Sequence, residues 1–185
     1  MRRVEALRMI DEQVGDGPLV VTAGATAREL ASLAQRPNHL PLLDSMGLAA
    51  AVGAGVALGH RGRVTAIEGD GSLLMGLSML ATLASAGPPN LTLVVLDNRE
   101  HASAGRVPTQ AAVLDLVAVV RGFGLPVDES DEPEGLRAAL SRAAEGGRLA
   151  VVYARIEGGN EAGIPFLLED PAAIAARFRE ALHGG

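Results

Sequence analysis

The sequence predicts an α/β fold of three layers, with helices on both faces of a mostly parallel sheet. Two observations carry that expectation. Short apolar runs bounded by glycine or asparagine, "PLVVTAG" at 18–24, "RVTAIEG" at 63–69 and "NLTLVVLDN" at 90–98, read as buried strands. Longer runs with helical spacing lie between them, and this alternation continues along all 185 residues. No internal repeat or low-complexity linker interrupts it, so residues 1–185 are read as one domain.

Taken in order, Val4, Leu7, Met9 and Ile10 give an opening amphipathic helix that ends near Gly15 and Gly17. After the first strand, Thr26 and Glu29 have the spacing of a capping box for a helix reaching about Gln35. "HLPLLDSMG" predicts a short extended piece, and residues 48–59 an Ala/Gly helix. The strand at 63–69 leads into one helix, "SLLMGLSMLATLASAG", and then into the strand at 90–98. A polar loop precedes the helix "TQAAVLDLVAVVRGFG", stopped by Gly122 and Gly124. Asp131 and Pro133 suit a helix start, "RLAVVYARI" is a late buried strand, and Asp170-Pro171 opens the last helix. The segment 157–170 is the longest irregular stretch, either a mobile arm or an ordinary surface connection.

Composition narrows the function. The net charge of −6 argues against a nucleic-acid partner, which needs a basic face. All 16 basic residues are Arg, a side chain suited to oxyanions. With no cysteine, the chain has no disulfide, thiolate metal site, iron–sulfur cluster or Cys nucleophile. The first residues lack the continuous apolar core of a signal peptide, and the apolar stretch 47–59 is too short to span a bilayer. A soluble cytoplasmic protein with no membrane partner is the expectation.

The chemistry concentrates at Gly69-Asp70-Gly71, where a strand meets a helix at a turn with one acid. In an open α/β sheet, ligands bind beyond the carboxyl ends of the strands. Bare N–H groups at a helix start attract phosphate oxygens, and glycine lets them come close. A carboxylate there would repel a phosphate unless a cation lay between, which points to a diphosphate bridged by Mg2+. Asp-Gly by itself is a common turn. Asn98, 28 residues after Asp70 at the end of the next strand, supplies a second oxygen ligand on the same sheet edge. A main-chain carbonyl such as that of Glu100 could complete the set.

These residues resemble the diphosphate-binding motif of thiamine-diphosphate (ThDP) enzymes, a GDG followed after some two dozen residues by Asn. Here 26 residues separate Gly71 from Asn98. "DSMGLAAAVGAGVALG" is similar to the stretch preceding the motif in the sulfopyruvate and phosphonopyruvate decarboxylase branch. "DNREHASAGRVPT" is similar to that branch's loop after the metal-binding Asn, and "TAGATAREL" to its entry. The resemblance implies Mg2+ held by Asp70, Asn98 and the Glu100 carbonyl, with Ser45, Gly69, Gly71 and Ser72 also at the cofactor. Met46 would be the apolar residue that bends the cofactor, although a core methionine reads the same way in sequence. The thiazolium then serves as electron sink for loss of CO2 from a small 2-oxo acid.

The family also needs a pyrimidine-binding domain with a catalytic Glu, and no residues remain here to build one. The resemblance therefore implies a diphosphate-binding (β-type) subunit that shares its site with a pyrimidine-binding (α-type) subunit. A hetero-oligomer is expected, with a homodimer as the alternative for the isolated chain. Asp44 replaces the usual Gly before Ser45. In the following loop Arg99, His101, Ala104 and Arg106 depart from the usual pattern. The charged ones could bind an anionic substrate group or simply be solvated, and His101 is the candidate for acid/base work. The alternatives are a non-catalytic ThDP or nucleotide-binding module and the small subunit of a related carboligase or oxidoreductase.

Overall fold

A computed structural model describes residues 1–183. Six parallel strands form one sheet in the order β2-β1-β3-β4-β8-β7. They are β1 (Leu19–Val21), β2 (His39–Pro41), β3 (Val64–Gly69), β4 (Leu91–Asp97), β7 (Val127–Ser130) and β8 (Ala150–Arg155). A small hairpin, β5 (Glu100–His101) and β6 (Val107–Pro108), stands apart from it.

The period of two along the central strands sorts their side chains onto two cores. Leu91, Leu93 and Val95 of β4 face one core with Val64, Ala66, Val151 and Tyr153. Val94 and Leu96 face the other with Ile67, Val152 and Ala154. The first core is covered by α3 (Ala49–Gly59), α4 (Asp70–Met75), α5 (Met79–Ala86), α6 (Leu116–Gly122) and α8 (Pro171–His183). The second is covered by α1 (Arg3–Val14), α2 (Ala25–Leu33) and α7 (Pro133–Glu145). The three-layer α/β architecture is therefore present, with β3 and β4 at its centre.

Several local expectations fail for tertiary reasons. The capping box does not form: Gly24 is the N-cap of α2, while Thr26 and Glu29 are buried inside the helix. The Glu29 carboxylate turns inward to the Arg3 guanidinium at 2.7 Å. The long helix after Asp70 breaks into α4 and α5, because Gly76 crosses Gly47 at backbone contact. A Cβ at Gly76 would stand 2.1 Å from the Gly47 carbonyl oxygen. The helix expected over "TQAAVLDLVAVVRGFG" becomes a 3-10 turn and then α6, capped by Asp115, whose side chain accepts from the Ala118 N–H at 3.0 Å. Glu132 rather than Asp131 precedes α7, with Pro133 in its first turn. Asp170 does cap α8, its Oδ1 accepting from the Ala172 N–H at 2.9 Å. Among the described residues no helix is long and apolar enough to cross a membrane.

Candidate active site

β3 and β4 pair in register from Val64↔Leu91 to Gly69↔Leu96, so Asp70 and Asn98 leave neighbouring strand ends on one edge of the sheet. A cavity of about 300 Å³ opens there. Gly69, Asp70, Gly71, Ser72, Asn98, Glu100, His101 and Met46 all line it, together with Asp44. Ser45 does not, although its two neighbours do. Arg99 and Arg106 also lie outside the lining. Arg99 Nε is 4.0 Å from Asp97, and Arg106 Nε is 3.0 Å from a Glu100 carboxylate oxygen.

Asp70 is 2 % exposed and opens α4. Its carboxylate accepts a hydrogen bond from the Thr109 hydroxyl. Burial pushes its pKa up against that bond, and the Asp97 charge adds to the rise, while the Asn98 backbone N–H opposes it. No ion pair includes Asp70 among the described residues. Asp97, by contrast, is satisfied inside the chain: the Tyr153 hydroxyl donates to it at 2.6 Å and the Arg99 N–H at 3.0 Å. Burial and this contact push the Tyr153 hydroxyl well above its ordinary pKa.

After Asn98 the chain turns sharply. Arg99 takes the left-handed conformation, φ 58°, rare for a residue with a side chain. The Asn98 amide oxygen accepts from the Glu100 N–H at 3.3 Å. Bonds from Thr109 N–H to the Arg99 carbonyl (3.0 Å) and from Arg106 N–H to the His101 carbonyl (3.1 Å) hold the Arg99–Glu100 and His101–Ala102 peptides of this turn. The His101 side chain lies over Gly71, where a Cβ would stand 2.3 Å from His101 Cε1. The imidazole therefore rests on the helix start.

A buried polar cluster lies under the turn, and sequence reading missed it. Glu68, 1 % exposed, accepts from the Ala50 N–H at 3.0 Å and from the Ser72 hydroxyl. Burial pushes the Glu68 carboxyl up, with these bonds opposing. Ser72 Oγ also accepts from the Gly47 N–H at 2.8 Å and meets Thr22 Oγ1 at 2.7 Å. The Ser72 hydroxyl is thus committed inward, which leaves its backbone N–H as the group free to meet a ligand. The cluster ties the Met46–Gly47 turn to the Asp70 corner. Met46 is 41 % exposed, so it is not a core methionine. The sequence signal for Glu68 was one acid inside an otherwise apolar strand. Thr22, Thr109, Tyr153 and Arg3, which also lines the cavity, gave none.

The donor set suits a hard cation: one carboxylate, one amide oxygen and one main-chain carbonyl. No three His, Asp or Glu side chains converge as a metal site among the described residues. A cation at this corner would offset the Asp70 charge, which no cationic side chain among the described residues pairs.

Residues 22–154 match the thiamine pyrophosphate enzyme C-terminal TPP-binding domain. The chain belongs to that family. Its cofactor is thiamine diphosphate. The chain is 36 % identical over 184 residues to the sulfopyruvate decarboxylase subunit beta of Methanothermobacter thermautotrophicus, covering 100 % of this chain and 97 % of that one. It is 37 % identical over 179 residues to the phosphonopyruvate decarboxylase of Streptomyces viridochromogenes, covering 96 % of this chain but 45 % of the other. The crystal structure of benzoylformate decarboxylase from Polynucleobacter necessarius superposes with a TM-score of 0.71 at 17 % identity, over 85 % of this chain and 33 % of that one. The last likeness is one of fold. The chain thus spans nearly the whole of one relative, under half of another and a third of the solved structure.

Proposed function

We propose that this chain is the diphosphate-binding subunit of a cytoplasmic ThDP- and Mg2+-dependent 2-oxo acid decarboxylase of the sulfopyruvate/phosphonopyruvate type. Its active site is shared with a separate pyrimidine-binding chain. The observation that carries the reading is Asp70, a buried carboxylate without a cationic side chain, facing the Asn98 strand end in one cavity. Asp70, Asn98 and the Glu100 carbonyl would hold Mg2+, and the N–H groups of Gly71 and Ser72 would bind the diphosphate oxygens. Met46 presents its side chain to the cavity as the apolar prop, and His101, whose imidazole lies beside the helix start, is the candidate for acid/base work. When bound, ThDP supplies the electron sink for loss of CO2 from the 2-oxo acid. A split enzyme is supported by the beta-subunit relative that this chain matches end to end. The longer Streptomyces relative carries further residues in one chain.

The test mixes the purified chain with the chain that co-purifies with it, ThDP and Mg2+, and measures CO2 from sulfopyruvate and phosphonopyruvate. Release is expected only when both chains are present; none from either acid defeats the reading. In the same complex Asp70→Ala is expected to abolish Mg2+-dependent ThDP binding by calorimetry. Unchanged affinity would remove the metal assignment.

A further inference from the structure

The Glu100 side chain is held by two distant parts of the chain, although only its main-chain carbonyl has so far been given a task. The side chain is 12 % exposed. Arg106 Nε approaches its two carboxylate oxygens at 3.2 and 3.0 Å from across the β5–β6 hairpin. The Gly159 N–H donates to one of the same oxygens from the segment that follows β8. Gly159 takes φ 101°, a conformation that favours glycine. A Cβ at Gly158 would stand 3.1 Å from a Glu100 carboxylate oxygen, so the backbone passes close by.

This segment is itself tied down at every step. The Ile156 N–H donates to the Asp97 carbonyl at 2.8 Å and the Glu157 N–H to the Met1 carbonyl at 2.9 Å. Asn160 Nδ2 donates to the Ala102 carbonyl at 3.3 Å, while its Oδ1 accepts from Arg3 at 3.2 Å. The Glu161 N–H donates to Glu29 at 3.1 Å. Residues 156–161 are thus a strap from the buried Arg3–Glu29 pair to the turn after Asn98. That turn is one that needs holding. Arg99 and Arg106 both take the left-handed conformation, φ 58° and 62°, and neither is glycine. Such backbone persists only where its surroundings over-determine it.

We propose that Glu100 is a positioning residue: its carboxylate, gripped by Arg106 and the 156–161 strap, fixes the turn whose carbonyl would hold the cation. This rests on the function proposed above. A carbonyl ligand is oriented by its own peptide, and the groups that anchor that peptide set how readily the site accepts a metal. Loss of such supporting groups typically costs about 10–100-fold in metal affinity.

The experiment uses the full chain with the chain that co-purifies with it, and measures ThDP binding by calorimetry across a Mg2+ series. Glu100→Ala is expected to raise the Mg2+ concentration for half-maximal ThDP binding by about 10-fold or more, with excess Mg2+ restoring binding. Glu100→Gln keeps an oxygen to accept from the Gly159 N–H and loses only the ion pair with the exposed Arg106. Its rise should stay within about 3-fold. Asn160→Ala, which frees the strap from Ala102 outside the cavity, should shift the series in the same direction as Glu100→Ala. A second readout needs no metal. In the isolated chain, amide hydrogen exchange at Arg106 and Thr109 should quicken by about 10-fold in Glu100→Ala and little in Glu100→Gln. A lower urea midpoint with an unchanged Mg2+ series would show a role confined to folding and overturns the inference. Equal losses in Glu100→Ala and Glu100→Gln, with Asn160→Ala unchanged, also overturn it, because the carboxylate would then act on the cation directly. If the wild-type pair binds no ThDP with Mg2+, the function reading falls and takes this one with it. If it binds and Glu100→Ala follows the same Mg2+ series, this inference falls alone.

Discussion

On one side of the sheet, α1, α2 and α7 carry charges along their lengths and join one another with them. Arg3 reaches Glu29 at 2.7 Å between α1 and α2, and Arg137 reaches Glu12 at 3.0 Å between α7 and α1. On the other side, α3, α4 and α5 carry one charged side chain, Asp70 at the start of α4. The charged layer closes on itself, whereas α3, α4 and α5 leave their one carboxylate without an ion pair among the described residues. The same contrast holds for the two buried acids. Glu29 has its cation within the chain, so it serves the fold. Asp70 has none among the described residues, and that unmet charge is what a cation in the proposed site would offset.

Arg3→Ala tests this contrast most severely. It would leave the Glu29 carboxylate, 2 % exposed, with the Glu161 N–H at 3.1 Å as its remaining donor. Removing one partner of a buried pair costs about 3–5 kcal/mol, and urea unfolding is expected to show a loss of that order. The double variant Arg3→Met, Glu29→Leu should recover most of it, because the cost lies in the stranded charge. A single-variant loss under about 1 kcal/mol would mean that the pair does not close this layer.

His39 probes the same layer through pH. Its Nε2 comes within 3.1 Å of Asp11 Oδ1, without the alignment of a hydrogen bond, and the Arg36 guanidinium bonds the other Asp11 oxygen at 3.0 Å. Burial holds the His39 pKa below its ordinary value of 6.5, with Asp11 opposing and Arg36 reinforcing the shift. Between the lowered pKa and 6.5 the unfolded chain binds the extra proton. The stabilisation is therefore complete above the ordinary value and is lost as pH falls through this window. The slope is at most about 1.4 kcal/mol per pH unit for one group. Urea melts from pH 7.5 to 5 should be steeper for wild type than for His39→Gln, over about that pH range. Parallel profiles would show that His39 is neutral to the fold.

The part of the molecule legible in sequence is the part built from local signals. β3 and β4 could be read because they are mostly apolar and end in glycine and asparagine, and the Asp70–Asn98 pairing followed from the length of the βαβ unit between them. What escaped was set by distant contacts. The break between α4 and α5 is decided at Gly47, 29 residues before Gly76. Glu29 looked like a cap because its real partner, Arg3, is 26 residues upstream. β7 is an edge strand of sequence Val-Asp-Glu-Ser, too polar to be seen by apolar runs. The Glu68–Ser72–Thr22 cluster joins three elements, so no window of sequence contains it. Ser72 lines the cavity, but its hydroxyl is committed to Glu68 and the Gly47 N–H.

The smallest expected effect sets the limit of the charge argument. Arg137 and Glu12 join α7 to α1 at 3.0 Å, yet their side chains are 59 % and 51 % exposed. Water screens such a pair, and two long side chains lose rotamer freedom to form it. Arg137→Ala should therefore change stability by about 0.5 kcal/mol or less, and 1 M NaCl should erase the difference. A loss several times larger would mean that exposed pairs also hold the charged layer, so that its closure would not reside in Arg3 and Glu29. A null result leaves the buried pair as the clasp and the exposed charges as the coat that keeps this side of the protein in water.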